Sequence, residues 1–65
     1  MFLILVDLDG FEVFLRADYV RIDSTSVAAH LPDGNSLDFY MEKDNWRCYD
    51  RSHAGIYKNI SCCGD

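Results

Sequence analysis

Two aspartates one residue apart, Asp7 and Asp9, follow the apolar run Phe2–Val6 and precede Gly10. Neighbouring carboxylates suit phosphoryl chemistry. One can attack, the other can move a proton, and a divalent cation masks their mutual repulsion. A second set, Cys48, His53, Cys62 and Cys63, has the donor types of a zinc site, which takes four such ligands. Its spacing matches none of the usual pairs such as Cys-x2-Cys, and adjacent cysteines serve one zinc poorly. No metal is therefore expected, with His53 a solvated loop side chain and His30 a surface strand residue. A third set, Asp23, Ser24, Thr25, Ser26 and His30, contains the groups of nucleophilic catalysis, but no glycine elbow or oxyanion loop accompanies them.

The segment Val6-Asp7-Leu8-Asp9-Gly10 resembles the first motif of the haloacid-dehalogenase phosphotransferases. The resemblance implies Asp7 as the nucleophile on phosphorus, Asp9 as the acid/base, and magnesium held between them. Two features depart from that pattern. Phe11 stands where the family carries Thr, and the family's parallel sheet is built from βαβ units of about 30 residues or more each, for which this chain has no plausible helix. The preferred expectation is a non-enzymatic protein with no catalytic residue and no cofactor. A metal-dependent phosphotransferase-like site at Asp7 and Asp9 is the remote alternative.

The elements that would carry these groups are strands. Asp9-Gly10 between two apolar runs signals a hairpin, because Asp tolerates and Gly prefers the positive φ of a tight turn. A two-residue loop would set Leu8 against Phe11, Asp7 against Glu12, Val6 against Val13, Leu5 against Phe14 and Ile4 against Leu15. Phe2, Ile4, Val6, Leu8, Phe11, Val13 and Leu15 would then form one apolar core face, with Leu3, Leu5, Phe14, Asp7, Glu12 and Arg16 on a mixed face. The like charges of Asp7 and Glu12 would meet across the hairpin, relieved by a nearby Arg16 or Arg21, or by a cationic partner.

Tyr19–Ile22 and Val27–Leu31 read as further strands. Pro32-Asp33-Gly34-Asn35 is a second turn, and Ser36–Met41 alternates with a clean period of two. Residues 42–51 are ambiguous between strand and a short helix, and Ile56–Ile60 reads as a last strand. The expected fold is mainly β: a small antiparallel meander or barrel-like sheet of five to six strands, with one short helix near 42–51 as a variant. Residues 1–61 form the domain and 62–65 a short tail.

Bulk properties narrow the class. The chain has 65 residues, eleven acidic against six basic, and a formal charge of −5. Nine of the eleven acids are Asp. That balance disfavours direct binding to nucleic acid phosphates or anionic membranes and favours a partner with a basic surface. Phe2–Val6 is too short to span a bilayer and lacks the flanks of a signal peptide. Three cysteines, two of them adjacent, do not make a disulfide framework, so free thiols and a cytoplasmic location are expected.

The expected function is a small acidic interaction module, an inhibitor that occupies the basic, nucleic-acid-binding surface of a larger protein. In size and charge, though in no motif, the chain resembles phage-encoded anti-defence proteins, including anti-CRISPR proteins and DNA mimics, and that resemblance would place it in the host cytoplasm. The candidate partner-binding residues are Asp7, Glu12, Asp38, Tyr40, Glu42, Asp44 and Trp46, with Tyr40 and Trp46 exposed beside the carboxylates. The alternative is a self-associating regulatory or accessory subunit, a homodimer joined by a strand edge or by the mixed hairpin face.

Overall fold

In the computed structural model, which describes residues 1–64, seven strands form one antiparallel sheet. They are β1 (Phe2–Asp7), β2 (Glu12–Arg16), β3 (Tyr19–Ile22), β4 (Ser26–His30), β5 (Ser36–Glu42), β6 (Asn45–Cys48) and β7 (Gly55–Cys63). The order across the sheet is β2-β1-β7-β6-β5-β4-β3.

That order forces the sheet to roll. β2 and β3 lie at opposite ends of it, and a flat seven-stranded sheet would hold them about 29 Å apart. Yet only Ala17 and Asp18 join them, and the chain from Arg16 to Tyr19 can reach about 11 Å at most. The long β7 supplies the required stagger. Its later residues, Asn59 to Cys63, pair with Val6 to Phe2 of β1, while its first residues, Gly55 to Tyr57, pair with Cys48 to Trp46 of β6. Such staggered pairing tilts the strands, as a barrel requires. The two joining residues are pinned between the edges: the Ala17 amide donates to the Met1 carbonyl at 2.9 Å and the Asp18 amide to the His30 carbonyl at 2.8 Å. β2 and β3 do not pair with each other, so the roll stays open.

The concave face holds the core: Leu3, Leu5, Val27, Ala29, Leu37, Phe39, Cys48 and Tyr57, with Leu15, Val20, Leu31, Trp46 and Ile60 packed against it. β4 and β5 reach it by simple alternation, burying Val27, Ala29, Leu37 and Phe39. Among the described residues, no buried polar or charged residue interrupts this core.

Four expectations need correction. The strands number seven rather than five to six, because Asn45–Cys48 is a strand of its own. No helix occurs among the described residues, and 42–51 instead contains a tight hairpin. Glu42 faces Asn45, and Lys43 and Asp44 between them have φ of 51° and 68°, the left-handed pair of a type I′ turn. Cys62 and Cys63 belong to β7, opposite Leu3 and Phe2, rather than to a tail.

The fourth correction concerns the first hairpin. Its loop has three residues, Leu8, Asp9 and Gly10. The Gly10 amide donates to the Asp7 carbonyl at 3.1 Å and the Asp7 amide to the Phe11 carbonyl at 3.0 Å, with Gly10 at φ 91°. This is a type I turn closed by a glycine bulge. The extra loop residue slips the register by one, and a one-residue slip sends each β2 side chain to the other face. Leu5 now faces Val13, Leu3 faces Leu15, Ile4 faces Phe14, and Val6 rather than Asp7 faces Glu12. Leu3 and Leu5 are fully buried, whereas Phe2, Leu8, Phe11 and Val13 of the expected core face are exposed.

Asp7 is the lock of that turn. Its Oδ1 accepts the Asp9 amide at 2.9 Å and the Phe11 amide at 3.0 Å. Removing the acceptor strands two donors at a bend, so Asp7→Ala should cost about 1–2 kcal/mol, read as a lower urea midpoint. Asp7→Asn keeps Oδ1 and should retain most of the stability. Equal losses in the two variants would contradict this role.

Candidate functional site

β5 points Asp38, Tyr40 and Glu42 to the convex face, because Leu37 and Phe39 point inward and strand side chains alternate. The tight Lys43-Asp44 turn folds β6 back so that Arg47 lies opposite Tyr40 and Asn45 opposite Glu42. A compact polar cluster results. The Tyr49 hydroxyl donates to Glu42 Oε2 at 2.5 Å. Arg47 Nε lies 3.6 Å from Glu42 Oε1, an ion pair beyond hydrogen-bonding distance. The Arg47 guanidinium sits 5.7 Å from the centre of the Tyr49 ring, and the Tyr40 and Tyr49 rings are 6.3 Å apart. A cation over an aromatic face and an ion pair together hold the two tyrosines in place. The hydrogen bond to Glu42 pushes the Tyr49 phenol above its ordinary pKa, since ionising it would put two negative charges together.

This arrangement gathers part of the expected site. Asp38, Tyr40 and Glu42 form one row, and Asp44 projects at the hairpin tip beyond it. Glu42 and Trp46 also line a concavity of about 490 Å³ with Lys43, Asn45, Arg47 and Ile56. Trp46 is not the exposed surface aromatic expected from the sequence. It is half-buried, facing Met41 and Tyr57 and packing on the core. Asp7 and Glu12 are not opposite each other, and Arg21 pairs with Asp23 at 3.8 Å rather than with either. Asp7 lies opposite Tyr57, and Tyr57 opposite Trp46, but those two pack on the core side, so Asp7 does not join the convex row; Glu12 lies on β2, at the end of the sheet.

Arg47 and Tyr49 were not among the residues singled out by sequence. The signal that would have found them is the Lys43-Asp44 turn, because a two-residue loop there sets Tyr40 against Arg47 directly. Without glycine in the turn, the hairpin signature is weak.

The groups with metal or nucleophile chemistry are dispersed. Among the described residues no group of three or more His, Cys, Asp or Glu is placed to hold a metal. Cys48 is buried in the core, where burial raises its thiol pKa, while Cys62 and Cys63 are exposed on β7. His53 lies in the β6–β7 loop, where the Ser52 hydroxyl contacts its Nδ1 at 2.9 Å and Asp50 Oδ1 at 2.7 Å. The Ser52 hydroxyl, then its amide, hold the Asp50 carboxyl below the usual carboxylate range. The Tyr57 hydroxyl ties this loop to the sheet by donating to the His53 carbonyl at 2.9 Å. His30 is exposed on β4 and stacks near Tyr19, with ring centres 5.5 Å apart. Among the described residues, no helix is long and apolar enough to cross a membrane.

No known protein family, curated protein or solved structure matches this chain.

Proposed function

We propose that this chain is a protein-interaction module that docks through its β5–β6 hairpin onto a basic surface of a larger protein, as an inhibitor competing with nucleic acid would. The observation that carries the reading is the convex row of Asp38, Tyr40 and Glu42 leading to Asp44 at the tip. Short carboxylates on a rigid sheet hold negative charge at fixed positions, as a phosphate backbone does. The formal charge of −5 steers such a surface toward a basic partner. Tyr40, 46% exposed and braced by Tyr49, supplies an aromatic anchor of the kind that dominates interface energies. Glu42 contributes less charge than its neighbours, because Arg47 sits beside it.

The test is capture from a bacterial lysate on immobilised wild-type chain and on Asp38→Lys/Glu42→Lys/Asp44→Lys, each at low and high salt. Nucleic-acid-binding proteins should be retained by the wild type at low salt, displaced by added DNA or RNA, and lost from the triple variant. Retention that ignores both salt and charge reversal would overturn the proposal.

A further inference from the structure

β2 ends the sheet, pairing with β1 on one side and, among the described residues, with no strand on the other. The hydrogen bonds at the two ends of the hairpin settle which backbone groups are free. Asp7 bonds to Phe11 and Ala17 bonds to Met1, so in an antiparallel ladder Val13 and Leu15 also turn their amides and carbonyls toward β1. The amides and carbonyls of Glu12, Phe14 and Arg16 therefore point outward, along an open edge. Their side chains share the convex face, where Phe14 is 60% exposed beside Ile4.

The order of residues on this edge is self-complementary. It reads Glu12-Val13-Phe14-Leu15-Arg16, acid at one end, base at the other, and apolar between. Neither Glu12 nor Arg16 has an ion-pair partner among the described residues. We infer that β2 pairs antiparallel with β2 of a second copy, about a two-fold axis through Phe14. That axis sets Phe14 against Phe14 of the mate and Glu12 against Arg16 of the mate at both ends. It also sets Val13 against Leu15 of the mate on the concave face. The three residues whose backbone groups point outward become the hydrogen-bonded pairs, so register and charge agree. A parallel pairing would instead oppose Glu12 to Glu12 and Arg16 to Arg16. Two-fold symmetry is the common solution for identical chains, and an open strand edge is a ready template for it. This dimer uses the sheet edge at β2, whereas the row lies on interior strands β5 and β6, so it stands independently of the reading above.

Sedimentation equilibrium on the full chain, from micromolar to about 1 mM at physiological salt, provides the test. The wild type should show a monomer–dimer equilibrium. Glu12→Arg alone places Arg against Arg at both ends, and Arg16→Glu alone places Glu against Glu. Each should weaken the dimer by about tenfold to thirtyfold. The double variant Glu12→Arg/Arg16→Glu re-creates complementary pairs and should recover most of the wild-type affinity. Far-UV circular dichroism checks that each variant is folded; if a reversed variant is not, Glu12→Gln and Arg16→Gln give the same comparison with smaller shifts. A monomer at every concentration overturns the inference. So does a dimer indifferent to the single changes, or one that the double change fails to restore.

Discussion

Phe39→Ala should leave the chain largely unfolded at room temperature. Phe39 is fully buried near the middle of the sheet, between Val27 of β4 and Cys48 of β6. Its ring meets the Tyr57 ring edge-on, with centres 6.0 Å apart and planes at 75°. Truncating a buried Phe costs about 3–5 kcal/mol, because the transfer energy is lost and the cavity does not fully collapse. At roughly 0.05–0.15 kcal/mol per residue, a domain of this length holds only about 3–10 kcal/mol in total. The loss is therefore comparable to the whole stability. Urea titration of Trp46 fluorescence should show the midpoint falling toward zero. Cys48 offers a second readout: its buried thiol should react slowly in the wild type while exposed Cys62 and Cys63 react quickly, and the difference should vanish in the variant. A variant that keeps a cooperative transition within 1 kcal/mol of wild type, by the lower bound of about 3 kcal/mol for such truncations, would contradict the packing described.

The second large effect separates the two faces of β1. Leu5→Ala should destabilise by about 2–5 kcal/mol, because Leu5 is fully buried against Val13 and Ile60. Ile4→Ala on the same strand should cost about half as much or less. Ile4 is only half-buried, beside exposed Phe14 and Ser61. Phe14→Ser should fall within about 0.5 kcal/mol of wild type, as surface changes usually do. Denaturation of the dilute monomer measures all three without interference from self-association. An inverted order, with Ile4 costing more than Leu5, would mean that the opposite face of the hairpin is the core.

That comparison probes the point at which local sequence ceased to be decisive. Period-two alternation in Ser36–Met41 set Leu37, Phe39 and Met41 on one face against Asp38 and Tyr40; Leu37 and Phe39 are buried, while Met41, near the end of the strand, is exposed. Val27 and Ala29 follow the same rule. These strands carry polar residues on one face, so alternation alone selects the other. β1 carries Phe2, Ile4 and Val6 on one face and Leu3 and Leu5 on the other, so alternation has nothing to choose between. The second hairpin was hidden for a related reason. Lys43-Asp44 adopts a left-handed turn without glycine, and the strand it introduces, Asn45–Cys48, is too short to show a period. The polar row at the candidate site was therefore legible along β5 as Asp38 and Tyr40, whereas Glu42 lay in the ambiguous segment 42–51 and joined the strand only in the structure. Its partners Arg47 and Tyr49 depended on the pairing of β6.

Asp7 and Asp9 illustrate the same division at the residue level. By itself the sequence determined a β-rich chain, a turn at Asp9-Gly10, the strands on either side, and an acidic surface. Each of these follows from side-chain type and short-range backbone preference. Only the tertiary structure decided that the turn takes three residues, that Asp7 is bound to its amides, and that Leu3 and Leu5 rather than Ile4 and Val6 are buried. It also decided that two residues at Ala17-Asp18 draw the ends of a rolled sheet together. The reason is that register and facing are collective. They depend on which side of each strand pair can share one apolar interior, a condition that all seven strands must satisfy at once.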